Sequence, residues 1–145
     1  MKSKEQQSSN SWAEFWGGRS VPPRKRPANL EHQLQSRCVQ VFRIKYPHLT
    51  HNLFAVPNGG YRTKTTAALM KAEGQLAGVS DLILLVRKGN CGALLLEGKR
   101  KGNYQSPVQR AWQKHMEEFG YKYGIFHSVE EFIEIVNNYL SLPDE

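Results

Sequence analysis

Cysteine is scarce in this chain: its 145 residues hold two, Cys38 and Cys91. Two thiols build neither a disulfide framework nor a cysteine-ligated zinc site, and they suit a reducing, cytoplasmic compartment. Long apolar runs are missing as well. No stretch approaches 18 uncharged apolar residues, which excludes a transmembrane helix and makes a membrane partner an unsuitable expectation. The opening MKSKEQQSSN carries charge with no apolar segment behind it, unlike a secretory signal. Aspartate is the rarest charged residue, with only Asp81 and Asp144, and no internal repeat occurs. What is present suffices for one core: 39% hydrophobic and 10% aromatic residues, in a length that fits one domain plus tails.

The formal net charge is +7, and its distribution is uneven. Residues 1–28 carry six basic and two acidic groups; residues 129–145 carry five acidic groups and no Lys or Arg. The middle, 29–128, therefore holds fourteen basic groups against six acidic ones. Such an excess is the electrostatic footprint of a protein that meets phosphates, so nucleic acid is the expected partner.

Residues 1–28 are polar and punctuated by Gly, Pro and Ser, and they close on Pro22-Pro23-Arg24-Lys25-Arg26-Pro27. With no period to bury, they read as a disordered basic arm ahead of a folded domain at 29–142. Trp12, Phe15 and Trp16 interrupt the arm at helical spacing. Leu34, Cys38, Val41 and Phe42 predict a first helix over about 29–46, stopped by Pro47. A short strand at Leu53 to Val56 leads through Pro57-Asn58-Gly59-Gly60 to a helix at Thr65 to Glu73. Asp81 to Val86 and Ala93 to Glu97 are near-continuous apolar runs joined by Lys88-Gly89-Asn90-Cys91-Gly92, the pattern of a hairpin covered on both faces. Ser106-Pro107-Val108-Gln109 combines an N-cap, a proline at the first helical position and a capping-box glutamine, opening a helix to Phe119. Tyr121 to Phe126 reads as a last strand, and Ser128-x-x-Glu131 caps a final helix bearing Phe132, Ile135, Val136 and Tyr139. The order α-β-α-β-β-α-β-α predicts an α/β domain with a mixed central sheet flanked by helices.

The acids of the basic middle carry the chemistry. Two of its six, Asp81 and Glu97, sit at the ends of the apolar strands. In a hairpin the start of one strand lies beside the end of the other, so both carboxylates converge at one end of the sheet. Burying two like charges together is costly unless a cation sits between them. Lys99 follows Glu97 at i+2, the same face of a strand. This is the layout of a Mg²⁺ or Mn²⁺ site for phosphodiester hydrolysis: Asp81 and Glu97, with the Gly98 backbone carbonyl, would hold the cation, and Lys99 would orient water or stabilise developing charge. The bland reading is a strand-start cap at Asp81 and a same-face ion pair of Glu97 with Lys99. A Glu-x-Lys triplet arises about once by chance in a chain with 11 Glu and 11 Lys, so its position carries the weight.

The order Gly78-Val79-Ser80-Asp81-Leu82, Glu97-Gly98-Lys99, Ser106-x-x-Gln109-x-x-Trp112 resembles the virus-type replication-repair nuclease domain (VRR-NUC). That family is a branch of the PD-(D/E)xK restriction-endonuclease-like superfamily, and the resemblance spans about 30–140. Val56-Pro57-Asn58-Gly59-Gly60 and Lys71-Ala72-Glu73-Gly74 are similar to the small stand-alone phage and bacterial members. The resemblance implies a divalent-metal nuclease in which Asp81 and Glu97 match the metal-binding acids, Lys99 the motif lysine and Gln109 the helix glutamine facing the site. Glu31 matches an acid such domains direct toward the metal; its alternative is a first-turn residue favoured by the helix dipole. Ser80 departs from the proline of the PD motif, a residue that shapes the turn and binds no metal. Stand-alone members act as homodimers on branched DNA such as four-way (Holliday) junctions, which makes that substrate and that assembly expectations here. A non-catalytic binding module of the same fold and a general or restriction-type nicking endonuclease are the rival readings.

Asn58, Gly59 and Gly60 with Arg62 and Lys64 suit a phosphate cradle at a helix N-terminus, or a plain strand-to-helix turn. Arg100 and Lys101 suit backbone phosphates beside the cut, or solvated strand-end charges. Gln109 reads equally as a site residue and as a capping residue. His48 and His51 have zinc-like spacing with no further ligand near in sequence, and His115 and His127 have no evident catalytic partner. Trp112, at helical spacing from Met116 and Phe119, reads as core.

Overall fold

The computed structural model describes residues 29–58 and 62–144. The expected basic arm, with Trp12, Phe15 and Trp16, and the glycines Gly59 and Gly60 lie outside the described residues. Among those described are four α-helices and four strands: α1 Leu30–Lys45, β1 Leu53–Ala55, α2 Lys64–Ala72, β2 Leu82–Leu84, β3 Leu94–Gly98, α3 Pro107–Glu118, β4 Lys122–Phe126 and α4 Val129–Leu140. A 3-10 turn, Pro47–Leu49, follows α1.

The strands form one sheet in the order β1-β2-β3-β4. β1 with β2 and β2 with β3 are antiparallel, whereas β3 and β4 run parallel and α3 makes the crossover between them. The β2–β3 link turns at Gly89-Asn90: Lys88 and Cys91 exchange both backbone hydrogen bonds, and Gly89 supplies φ +53. β3 is buried along its whole length because each face is covered by different elements. Leu82, Leu84, Leu94 and Leu96 meet Cys38 and Phe42 of α1 and Phe132, Val136 and Tyr139 of α4 in the main core. Phe126 and Phe132 lie edge to face there, with centroids 5.2 Å apart; truncating either ring costs about 3–5 kcal/mol.

The other sheet face carries Ile83, Leu95 and Glu97. Tyr123, opposite Leu95 in the parallel register, meets Trp112 of α3 edge-on at 6.2 Å. Trp112 thus packs on the sheet but is half-buried there and not core as expected, and Phe119, which its spacing places on the same stripe, is 70% exposed. The helix ends at Glu118, so Phe119 leaves the stripe and meets the His115 ring at a tilt at the solvent edge instead. No helix among the described residues is long and apolar enough to cross a membrane.

Candidate active site

The β2–β3 register pairs Leu82 with Leu96, and continued by one step it sets Asp81 across from Glu97. Cross-strand partners share a face, so both carboxylates stand at the sheet end covered by α3. The Gly98 backbone N–H donates to Asp81 Oδ2 at 2.9 Å. Asp81 is held there by the loop before it. Gly78, at φ +86, lies so close to α3 that a Cβ would come within 2.7 Å of Val108 Cγ1 and 2.9 Å of the Val108 carbonyl oxygen. Ser80 is fully buried and donates to the Leu82 carbonyl. Asn58 donates to the Val79 carbonyl from the other side.

Glu97 is 1% exposed. Its Oε1 accepts from Gln109 Nε2 at 2.7 Å and pairs with Lys99 Nζ at 3.1 Å. Its Oε2 is buried with no hydrogen-bond partner among the described residues. Burial, followed by the charge of Asp81, pushes the Glu97 carboxyl up to about 7, against the pull of Lys99. Burial raises Asp81 too; the Gly98 N–H and Lys99 draw it down, and Glu31 pushes it up. Two carboxyls that burial makes reluctant to ionise, Glu97 further opposed by the charge of Asp81, form a site short of positive charge.

Gln109 serves two masters with one amide. Its Oε1 accepts from the Ser106 backbone N–H at 2.9 Å, completing the capping box of α3, while its Nε2 binds Glu97. The capping and site readings hold together because the two ends of the amide point to different partners.

Glu31, in the first turn of α1, lies to the side. Its Oε1 accepts weakly from the Arg100 backbone N–H at 3.4 Å and from Asn103 Nδ2 at 3.5 Å. Among the described residues no group of three or more His, Cys, Asp or Glu is gathered as a metal site. Asp81 and Glu97 therefore stand as a pair. The pair fits a hard divalent cation of the Mg²⁺ type, which takes one or two carboxylates and fills its remaining positions with water or substrate oxygens. An unpartnered buried carboxylate oxygen beside a second carboxylate is the observation that makes this fit.

Arg62 and Lys64 flank Thr63, the N-cap of α2, whose side chain accepts from Thr66 N. Arg100 and Lys101 are exposed just beyond β3. The structure thus gathers Asp81, Glu97, Gly98, Lys99 and Gln109 at one sheet end. Arg62 and Lys64 lie at the N-terminal end of α2, and Asn58 ties its amide to the loop before Asp81.

Sequence reasoning passed over Tyr123. It is 8% exposed, Gln105 Nε2 donates to its hydroxyl at 3.2 Å, and burial followed by the charge of Glu97 pushes its phenol up. A tyrosine in a β-strand carries no signal of such a neighbour, since only the parallel β3–β4 register brings the two near. His127, also set aside, holds Glu131 through its backbone N–H at 2.7 Å and its ring Nδ1 at 3.0 Å, which keeps Glu131 below the ordinary carboxylate range.

No protein-family model matches the chain, and no curated protein matches it. A solved structure of a VRR_NUC domain protein does: it superposes with a TM-score of 0.69, at 22% sequence identity, over 79% of this chain and 90% of that one. At that identity the likeness establishes a shared fold, an α/β arrangement with a mixed central sheet flanked by helices.

Proposed function

We propose that the chain is a divalent-metal-dependent DNA endonuclease, hydrolysing phosphodiester bonds at the Asp81, Glu97 and Lys99 site. The observation that carries the reading is the buried, partly orphaned Glu97 carboxylate set across from Asp81 with Lys99 at 3.1 Å. Asp81 and Glu97, with the Gly98 backbone carbonyl, are the donors for Mg²⁺ or Mn²⁺; Glu31 is a further acid within electrostatic reach of Asp81. When bound, the cation polarises the scissile phosphate and lowers the pKa of an attacking water.

The chain's own residues prepare that chemistry. Gly98 N–H fixes one Asp81 oxygen. Gln109 and Lys99 both engage Oε1 of Glu97, which leaves Oε2 for the cation. The Lys99 ammonium, 13% exposed in its side chain, is anchored beside the reacting phosphate, where it orients water or stabilises developing negative charge. Arg62, Lys64, Arg100 and Lys101, together with Asn58, Gly59 and Gly60, supply phosphate contacts on a domain whose middle has an eight-charge basic excess.

We further infer a homodimer acting on branched DNA, four-way (Holliday) junctions foremost, because one small domain with one site offers too little surface to hold a junction alone. The test is cleavage of labelled four-way-junction, flap and linear duplex DNA in Mg²⁺ or Mn²⁺, comparing the native chain with Asp81→Ala. Paired nicks on the junction, abolished by the substitution or by chelator, support the full reading. Equal cutting of all three keeps the nuclease and removes the junction preference. Binding without metal-dependent cutting of any of them overturns the enzyme and leaves a nucleic-acid-binding module.

A further inference from the structure

The loop between β3 and α3 departs from the site immediately after Lys99. From Gly98 to Met116 the sequence holds no acidic residue, whereas Lys99, Arg100, Lys101, Arg110 and Lys114 are all basic. Beside Lys99 the structure opens a cleft of about 250 Å³, whose walls include Asn103, Tyr104, Gln105, Arg110 and His127.

Within this loop Tyr104 is 87% exposed, the most exposed of the large hydrophobic side chains among the described residues. Its two neighbours are tied down. Asn103 donates through its backbone to the Arg100 carbonyl and through its side chain toward Glu31. Gln105 is held twice, its carbonyl by Arg110 at 2.6 Å and its amide by the Tyr123 hydroxyl. A ring that merely filled a loop would fold back onto the sheet and bury its apolar area. Here the backbone on both sides is anchored and the aromatic face is presented to solvent, over a cleft that Ile125 lines together with Lys99 and Arg110. That combination, a stacking surface with basic side chains beside it, is how proteins hold unpaired bases without reading their sequence.

We propose that Tyr104 is a stacking platform for an unpaired DNA base next to the phosphate at Lys99, with the Lys99–Arg110 cleft receiving the adjoining backbone. The inference rests on the nuclease reading for the position of the cut. It names the substrate feature selected: a nucleotide free of its partner beside the scissile bond, as at a fork, flap or branch point. Arg110 acts as a positioning residue, because its guanidinium fastens the loop through Gln105.

The test has two parts. In the first, native chain, Tyr104→Ala and Tyr104→Trp are compared for kcat/KM on a forked DNA and on a fully paired duplex of the same sequence. The alanine variant is expected to lose about tenfold in the preference for the fork, and the tryptophan variant to keep it. In the second, the same substitutions are placed in an Asp81→Asn background and titrated with forked DNA carrying 2-aminopurine at successive unpaired positions. Fluorescence quenching at one position, retained in Tyr104→Trp and lost in Tyr104→Ala, supports the platform. An unchanged preference together with quenching that survives Tyr104→Ala overturns it while the nuclease stands. Tyr104-dependent quenching with no cutting of any DNA by the native chain leaves the platform standing and overturns the nuclease.

Discussion

Replacing Glu97 by Gln should make the metal-free protein more stable, although it removes a side chain at the centre of the proposed site. The native carboxyl is pushed up to about 7 from an ordinary 4.5, so the folded chain holds this proton more tightly than the unfolded chain. Below pH 4.5 both states carry it and nothing is lost. As pH rises from 4.5 to 7 the unfolded chain ionises first, and folding stability falls; above 7 the full penalty is present. At about 1.4 kcal/mol per pKa unit the penalty is at most about 3–4 kcal/mol. Glutamine keeps an Oε1 acceptor for Gln109 and Lys99 and puts an N–H donor where Oε2 has no partner beside Asp81. The assay is urea or thermal unfolding of both proteins in chelator at pH 5 and pH 8. At pH 8 the variant is expected to gain about 2 kcal/mol, roughly 8 °C in midpoint for a domain of this size. At pH 5 the gain should shrink below about 1 kcal/mol, and Mg²⁺ should narrow the pH 8 gap by stabilising only the native chain. A variant less stable at pH 8, or with the same difference at both pH values, would refute the account of Glu97 as a buried, under-compensated charge.

Three further outcomes are expected. Asp81→Asn should lower metal-dependent cleavage by roughly a thousandfold while DNA binding, measured by anisotropy, holds or tightens, because a negative charge leaves a basic surface. Gln109→Glu keeps the oxygen that caps Ser106 N–H but turns the donor facing Glu97 into a repelling carboxylate. Cleavage should therefore fall about tenfold or more with unfolding midpoint changed little at pH 5, whereas Gln109→Ala should also cost about 1 kcal/mol of stability from the lost cap. Gly78→Ala should destabilise the fold by about 2 kcal/mol or more in urea unfolding, since a Cβ there meets the Val108 backbone and the residue sits at φ +86.

The elements that were legible in the sequence are those written locally. Ser106-Pro107-Val108-Gln109 states its helix start within four residues, and Gly89-Asn90 states its turn within two. Asp81 and Glu97 drew notice because acids at the ends of otherwise apolar strands demand a reason, and the hairpin register follows from the turn. What depends on distant pairing was hidden. Tyr123 reaches the site through the parallel β3–β4 register, and nothing near it in sequence sets that register. The bond from Asn58 to the Val79 carbonyl, twenty-one residues on, has no local signal either. Phe119 followed the helical period, but the helix ended one residue earlier and left it in solvent. The tethers on Asn103 and Gln105 that display Tyr104 likewise join segments far apart along the chain.

The shared amide of Gln109 has a consequence for how the site comes into being. The Ser106 N–H is protected by the same side chain that steadies Glu97, so its exchange with solvent deuterium reports on the state of the carboxylate pair. Whenever the first turn of α3 frays, Glu97 loses a donor at that moment. A helix terminus and a reactive centre thus share one opening event, and a single backbone proton keeps time for both.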